Sequence, residues 1–350
     1  MLVLLTGGLG YIGSHLSIAL LQAGHGVLIV DNLVNASLAT LAGIKKIAGE
    51  SGRDRLTFIR EDLLNYTALV EICKSYPLDA VVHLAGLKAV AESLNEPLSY
   101  YHTNIVSTLN LLKALEASSC RQLIFSSSAT VYGNGVSPLF EEHPTGRALS
   151  NPYGKTKYLI EELLGDYHQA NPRFAIVVLR YFNPVGAHPS GIIGEAPLGI
   201  PNNLVPVLAN VAFQANRSSS SAQGGEGPLL SVFGNDYPSP DGTCLRDFIH
   251  VCDLSAAHLA ALSRQTGLSV YNVGTGTGTS VLSLISAYGH YNQLTIPYRF
   301  APRRPGDCAS VYCNADKIGR ELGWRAQKTL EDIVRDSWAW TLSSREAITP

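Results

Sequence analysis

The sequence predicts an α/β protein, a doubly wound parallel sheet followed by a smaller α/β lobe. Three observations carry this expectation. The apolar run Leu2-Val-Leu-Leu5 enters a turn with glycines at 7, 10 and 13 and continues into the apolar stretch Ser14 to Leu21, which reads as strand, turn and helix. Similar runs recur at Val27–Val30, Leu56–Ile59, Ala80–Leu84, Gln122–Phe125 and Ala175–Leu179, separated by longer polar and helical stretches, which is the rhythm of buried parallel strands. The chain has 350 residues, and single cores stop growing at roughly 250–300, so a second lobe is expected.

Composition narrows the function classes. Only 15% of residues are charged and the net charge is −2, so nothing draws the chain as a whole to nucleic acid or an anionic membrane, and any phosphate binding is local. The six cysteines form no C-x-x-C pair, which suits reduced thiols in the cytoplasm and speaks against zinc. Met1 to Leu5 lacks a basic leader, and no apolar run approaches the roughly 20 residues of a membrane span. The expectation is a soluble, cytoplasmic protein without a metal.

Taken in order, Gly7, Gly10 and Gly13 allow a tight turn, close approach of backbone to a pyrophosphate, and close packing of helix on sheet. The helix N-terminus then faces the anion. Asp31 closes the second strand about 20 residues beyond the turn, where a carboxylate accepts hydrogen bonds from an adenosine ribose and disfavours a 2′-phosphate. That points to NAD over NADP. The later runs end in Asp62-Leu63, Ala85-Gly-Leu-Lys88, Ser126-Ser-Ser128 and Tyr181-Phe-Asn183, clusters that should converge beyond the carboxyl ends of the strands. Lys88 meets a phosphate or is an ordinary surface lysine. Ser128 relays a proton, binds a sugar hydroxyl, or belongs to a plain loop. His83, in an apolar strand, is read as a packed core residue.

Tyr153 and Lys157 lie four residues apart, so on a helix they share a face and an ammonium sits beside a phenol. A tyrosine base working near neutrality needs its anion favoured by about 4 kcal/mol, three units from ~10, and Lys157 is expected to supply part. Two exposed helix residues are the plainer alternative. Residues Pro97–Glu116 and Pro152–Asn171 read as long helices whose outer faces make a dimer contact or simply a surface.

The rhythm of strands weakens after Asn183, which sets the expected division: a first domain over 1–183 and a second over 184–350, with some later segments returning to the first. Pro201–Pro206 carries amides for a diphosphate or base, or N-cap chemistry. Asn216–Pro228 is a low-complexity loop. Leu230–Phe233 reads as a strand whose aromatic end stacks on a base. Arg246, Arg303 and Arg304 stand in loops and suit phosphate oxygens, with solvated arginines as the alternative. Asp307 accepts a sugar or ribose hydroxyl or pairs with an arginine. Residues 330–342 form an amphipathic helix.

With these motifs in place, the chain resembles the extended short-chain dehydrogenase/reductases, and within them the UDP-sugar 4-epimerases. The resemblance rests on Thr6–His15, His83–Val90, Phe125–Gly133, Tyr153–Lys157, Arg180–Pro189, Gly199–Leu204, Phe233–Tyr237 and Ala301–Arg304. It implies a Rossmann-type first domain, a homodimer, and tightly held NAD. Tyr153 would take the proton of the sugar 4-hydroxyl while hydride leaves C4, the 4-keto sugar would turn about its diphosphate linkage, and hydride and proton would return to the opposite face. Lys157 would tune Tyr153, and Ser128 would assist. The resemblance assigns NAD contacts to Gly7, Gly10, Tyr11, Ile12, Gly13, Asp31, Asn32, Asn35, Asp62, Leu63, Leu84, Ala85, Gly86, Lys88, Ser126 and Phe182, with Tyr153 and Lys157. It assigns UDP-sugar contacts to Lys88, Ser128, Tyr153, Asn183, Asn203, Leu204, Phe233, Arg246, Arg304, Asp307 and Val311. Thr103 stands where an asparagine contacting NAD is often found and receives no role.

The rival on the same fold is a 4,6-dehydratase or decarboxylase, which needs an added acid/base pair after the strand serine; Ala129-Thr-Val131 occupies that place. A non-catalytic NAD sensor would not require Ser128, Tyr153 and Lys157. In the same resemblance Val311 stands at a position that borders the sugar pocket, and its small size implies room for a 2-acetamido group and activity on UDP-GlcNAc and UDP-GalNAc as well; a core strand residue within Ser310–Cys313 is the plainer alternative.

Overall fold

The computed structural model describes residues 1–197, 199, 203–218, 228–304 and 306–346. In chain order the first half gives β1 (Leu2–Thr6), α1 (Tyr11–Gln22), β2 (Gly26–Asp31), α2 (Leu38–Arg53), β3 (Leu56–Arg60), α3 (Tyr66–Ser75), β4 (Ala80–His83), α4 (Val90–Asn95), α5 (Pro97–Tyr101), α6 (Ser107–Glu116), β5 (Gln122–Ser128), α7 (Pro152–Ala170) and β6 (Ala175–Tyr181). The second gives β7 (Asn183–Val185), α8 (Leu204–Ser218), β8 (Leu230–Phe233), β9 (Leu245–Arg246), β10 (Phe248–His250), α9 (Val251–Ala261), β11 (Leu268–Val273), β12 (Thr279–Ser280), α10 (Val281–Asn292), β13 (Tyr298–Ala301), β14 (Ser310–Val311), α11 (Asp316–Leu322) and α12 (Leu330–Glu346).

Among the described residues seven strands form one parallel sheet in the order β11-β6-β5-β4-β1-β2-β3. The period of two along each strand sends alternate side chains to two cores. Val3, Leu5, Val27, Ile29, Val177 and Leu179 face the core shared with α1 and α9. Leu4, Leu28, Val30, Ile176 and Val178 face the core shared with α3, α6 and α7. Because the strands are parallel, Thr6, Asp31, His83, Ser128 and Tyr181 all come to the same edge. The order reverses between β1 and β4, which opens a crevice there.

A third core belongs to the second lobe, where Val205, Leu208, Leu230, Phe248, Leu284, Tyr288, Val334 and Trp338 come from α8, β8, β10, α10 and α12. Among the described residues, the smaller sheets are β10-β7, β12-β9-β14 and β13-β8.

Three expectations need correction. The run 97–116 is not one regular helix, since a π-helical segment, His102–Val106, separates α5 from α6; the wider turn brings the Asn104 side chain inward, as π segments near functional sites commonly do. Asn216 does not open a loop as expected, because α8 continues to Ser218 through residues with adequate helix propensity; the rest of that stretch, 219–227, lies outside the described residues, as do Pro201 and Asn202. The last helix reaches Glu346 instead of ending at 342.

The turn after β1 is held by backbone contact. A Cβ on Gly13 would lie 2.3 Å from the Gly7 carbonyl oxygen and 2.7 Å from Gly8 Cα, so it would push α1 off the sheet. Gly13→Ala is expected to cost about 1–3 kcal/mol, the usual range for overpacking, measured by urea unfolding; a change below 0.5 kcal/mol (about the scatter of neutral substitutions) would contradict this.

Candidate active site

The crevice between β1 and β4 begins with the glycine turn. Gly7 has φ +71°, and a Cβ there would sit 2.8 Å from the Ala85 nitrogen, so the two loops flanking the crevice touch. Gly10 is different: the nearest protein atom to its Cβ direction is 3.4 Å away, ordinary contact distance. Helix α1 opens on Gly10 without a side-chain cap, leaving its first N–H groups for a ligand anion. Tyr11 donates its hydroxyl hydrogen to the Gly186 carbonyl at 2.7 Å, and Ile12 packs against the first core.

Asp31, buried at the end of β2, accepts from Leu9 N at 3.0 Å and Leu33 N at 2.9 Å. Burial raises its pKa, and these two hydrogen bonds oppose the rise. Asn32 donates to Asp62 at 2.8 Å, Leu63 is buried, and Asn35 is exposed. Leu84 N donates to the Thr6 carbonyl. Beyond Ala85 and Gly86 the loop is pinned by Asn104, which accepts from Leu87 N at 2.8 Å and donates to Leu87 O and Thr156 Oγ1. Sequence reading missed Asn104. A glycine turn, an uncapped helix and a strand-end carboxylate together fit the diphosphate and ribose of a dinucleotide.

Helix α7 starts where Asn151 accepts from Gly154 N at 2.8 Å, with Pro152 in the first turn. This buries Tyr153 and Lys157 to 8% and 6% exposure. Lys157 Nζ donates to the Ser126 carbonyl at 2.8 Å and lies 4.8 Å from the Phe125 ring centroid and 5.9 Å from that of Tyr153. Burial lowers its pKa to about 8, with Glu161 pulling it back up. The Tyr153 phenol departs from expectation: burial raises it above 10, opposed by its hydrogen bond with Ser128. The neighbouring ammonium, whose hydrogen bond goes to a carbonyl and not to the phenol, does not reverse that rise. Ser126 Oγ meets His258 Nε2 at 3.2 Å. His83 is a core residue as expected, bonded to Thr6 and Thr108 at 2.8 and 3.0 Å.

Above the serines, Phe182 packs with Ala129, Val131 and the partly buried Val311. Val311 is in register with Arg246 across β14 and β9. Asp307 joins Arg246 at 3.6 Å and Arg304 at 2.9 Å, and the Arg304 guanidinium lies 4.8 Å over the Phe233 ring. Arg303 instead pairs with Asp236 and stacks on Tyr237, so the two adjacent arginines separate. Asn183 begins β7, its N–H donating to the Asp247 carbonyl at 3.0 Å. Lys88 and Asn203 come together on Glu195 Oε1 at 3.1 and 2.6 Å, with Leu204 packed behind on the third core. Glu195 gave no signal in the sequence, since a lone acid among glycines and prolines resembles any loop residue.

The model of the NAD dependent epimerase/dehydratase family matches residues 3–274. The chain belongs to that family. The UDP-glucose 4-epimerase of Bacillus subtilis is 47% identical over 98% of each chain. Among solved structures, a UDP-glucose 4-epimerase from Stenotrophomonas maltophila with bound NAD and formylated UDP-arabinopyranose superposes with TM-score 0.91 at 42% identity over 99% of both chains. That of Bifidobacterium longum, in complex with NAD+ and UDP, gives 0.90 at 43% identity over 99% of both. This family's match begins at β1 and ends just past β11, so it spans the whole seven-stranded sheet.

Lys157 makes stability depend on pH. Below about pH 8 folded and unfolded chains both hold its proton, and the cost of burying the ammonium is complete. Between 8 and 10.5 the unfolded chain still binds the proton and the folded chain has released it, so stability rises with pH. Urea unfolding of ligand-free protein at pH 7.5 and 9.5 should show a gain of about 2 kcal/mol relative to Lys157→Met over the same interval; parallel behaviour of the two proteins would contradict the buried charge.

Proposed function

We propose that this protein is an NAD-dependent UDP-glucose 4-epimerase that interconverts UDP-galactose and UDP-glucose through a 4-keto sugar. The observation that carries the reading is the 47% identity to a UDP-glucose 4-epimerase over 98% of both chains, with Ser128, Tyr153 and Lys157 together at the carboxyl edge of the sheet. The glycine turn, Asp31 and the loop after β4 would hold NAD, which when bound supplies a reversible acceptor for the hydride of sugar C4.

This chain's residues manage the proton and the orientation. Tyr153 takes the proton of the 4-hydroxyl and returns it. Since burial holds the phenol above 10, proton acceptance near neutrality needs positive charge beside it, to which Lys157 contributes. Ser128 hydrogen-bonds the reacting hydroxyl and Tyr153. Arg246 and Arg304 grip the diphosphate, Phe233 packs against the base, Asp307 accepts a ribose hydroxyl, and Asn183, Asn203 and Leu204 line the sugar nucleotide. The turn after Ser128 places Ala129 and Val131 among buried apolar groups, which supports epimerisation over elimination. In this reading residues 1–183 carry the cofactor and 184–350 mainly the substrate, with 268–273 belonging to the first.

The working form is a cytoplasmic homodimer. Its thiols stand free, and Leu94, Leu98, Leu109 and Leu159 are exposed on α4 to α7, Leu98 at 82%, a surface suited to a second copy. Val311 borders the sugar beside Phe182 and leaves room for a 2-acetamido group.

Incubation with UDP-galactose should yield UDP-glucose, and Tyr153→Phe should lower kcat by about 10²–10⁴-fold while the protein keeps its fold and its NAD. Near-normal turnover in that variant would overturn the role of Tyr153. Val311→Tyr should depress kcat/KM for UDP-GalNAc more than for UDP-galactose, by about 1–3 kcal/mol of overpacking; equal losses for both substrates would remove the gate.

A further inference from the structure

The residues that β5, β6 and β11 place side by side at the carboxyl edge include one row outside the chemistry described above. Ser127, Arg180 and Asn272 are lateral neighbours in register, one position before Ser128 and Tyr181. Arg180 Nε reaches both Glu161 oxygens at 3.1 Å and its Nη2 reaches Oε2 at 2.6 Å. Both side chains of this pair are under a tenth exposed. Ser127 Oγ donates to Glu161 Oε1. Arg180 Nη1 also donates to the Tyr132 hydroxyl at 3.0 Å and the Glu141 carbonyl at 3.1 Å.

Glu161 is one turn beyond Lys157 on α7, so the two share a face. Consecutive residues of β5 receive them: Ser126 through its carbonyl takes Lys157, and Ser127 through its hydroxyl takes Glu161. This double clasp fixes the axial position of α7 against β5, and with it the place of Tyr153 opposite Ser128.

The titratable groups that face Lys157 are Tyr153 and Glu161 on α7 and His83 on β4; Tyr100 on α5 and Tyr181 on β6 face Tyr153, Arg180 pairs with Glu161 and with Tyr132, and His258 meets Ser126 Oγ. Glu92 is taken up by the Tyr100 hydroxyl at 2.6 Å, and Glu141 by Asn272 N at 2.8 Å. Glu161, although it accepts from Ser127 and Arg180, stands one helical turn from Lys157 on the same face of α7, and its field is the one that reaches the ammonium.

We infer that Glu161 is a positioning residue for the reaction, holding Lys157 charged and in register beside Tyr153. The inference rests on the epimerase reading for its catalytic consequence, though not for the charge coupling itself. Burial favours the neutral amine, and the carboxylate opposes it.

Glu161→Gln alone strands the Arg180 charge in the interior and is expected to unfold the protein readily. The informative protein is Glu161→Gln with Arg180→Met, in which the buried pair becomes neutral. Lysine labelled with ¹³C at Cε, with the Lys157 resonance identified by its absence in Lys157→Met, gives the titration midpoint directly. In the native protein it should lie at about 8, and in the folded double variant about one unit lower. Relative to its own value at pH 6, kcat/KM of the double variant at pH 8.5 should fall about tenfold further than that of the native enzyme. Ser127→Ala, which keeps the carboxylate, should keep the native midpoint. An unchanged midpoint in the folded double variant would overturn the inference, as would an equal shift in Ser127→Ala. Absence of sugar epimerisation in the native protein would strike the functional reading and leave the midpoint to decide the coupling.

Discussion

Lys157 carries an ammonium into a face of α7 that the sheet covers, and the contacts that make this tolerable shape the rest of the site. Its hydrogen goes to the Ser126 carbonyl. Phe125 presents its ring to the charge, and cation–π contact gains strength when both partners are desolvated. A lysine left at the surface would titrate near its usual value; buried, it comes down to about 8, close to the range in which an enzyme can use it. Tyr153, one turn earlier, shares the burial and moves the other way. The two residues are therefore poised by one constraint, exclusion of water from the α7–β5 contact.

That contact depends on topology. A parallel sheet turns all its carboxyl ends to one side, so residues from β1, β2, β4, β5 and β6 meet without any long loop. The reversal of strand order between β1 and β4 leaves space where Gly7 and Ala85 touch and Gly10 stays uncrowded. The β12-β9-β14 sheet sets Val311 beside Arg246, and Val311 packs against Ala129, Val131 and Phe182. Polar groups in this region satisfy one another: Asp307 lies between Arg246 and Arg304, and Glu195 pairs with Lys88 and accepts from Asn203.

The first six strands were readable because each is a short apolar run flanked by polar residues, a composition that burial on both faces demands of all but the edge strand β3. The glycine turn and the Tyr153–Lys157 spacing were readable because they are local. The seventh strand was not: β11 alternates partly exposed and buried positions and follows the whole second-lobe insertion, so nothing nearby ties it to β6. Asn104 was hidden by a π segment that no propensity announces. The Arg180–Glu161 pair depends on the register of β6 against β5 and on the pitch of α7, quantities that exist only once the chain has folded. The upward shift of Tyr153 was missed for the same reason, since four-residue spacing reveals proximity to an ammonium and not the loss of solvent.

If Tyr153, Lys157 and Ser128 handle only the proton while hydrogen at sugar C4 is held within a closed site and returned, that hydrogen never exchanges with water. UDP-galactose deuterated at C4 tests this directly. The account predicts UDP-glucose that retains the deuterium at C4 after many turnovers in ordinary water, read by mass spectrometry and proton NMR. Product in which the label has been washed out would contradict it.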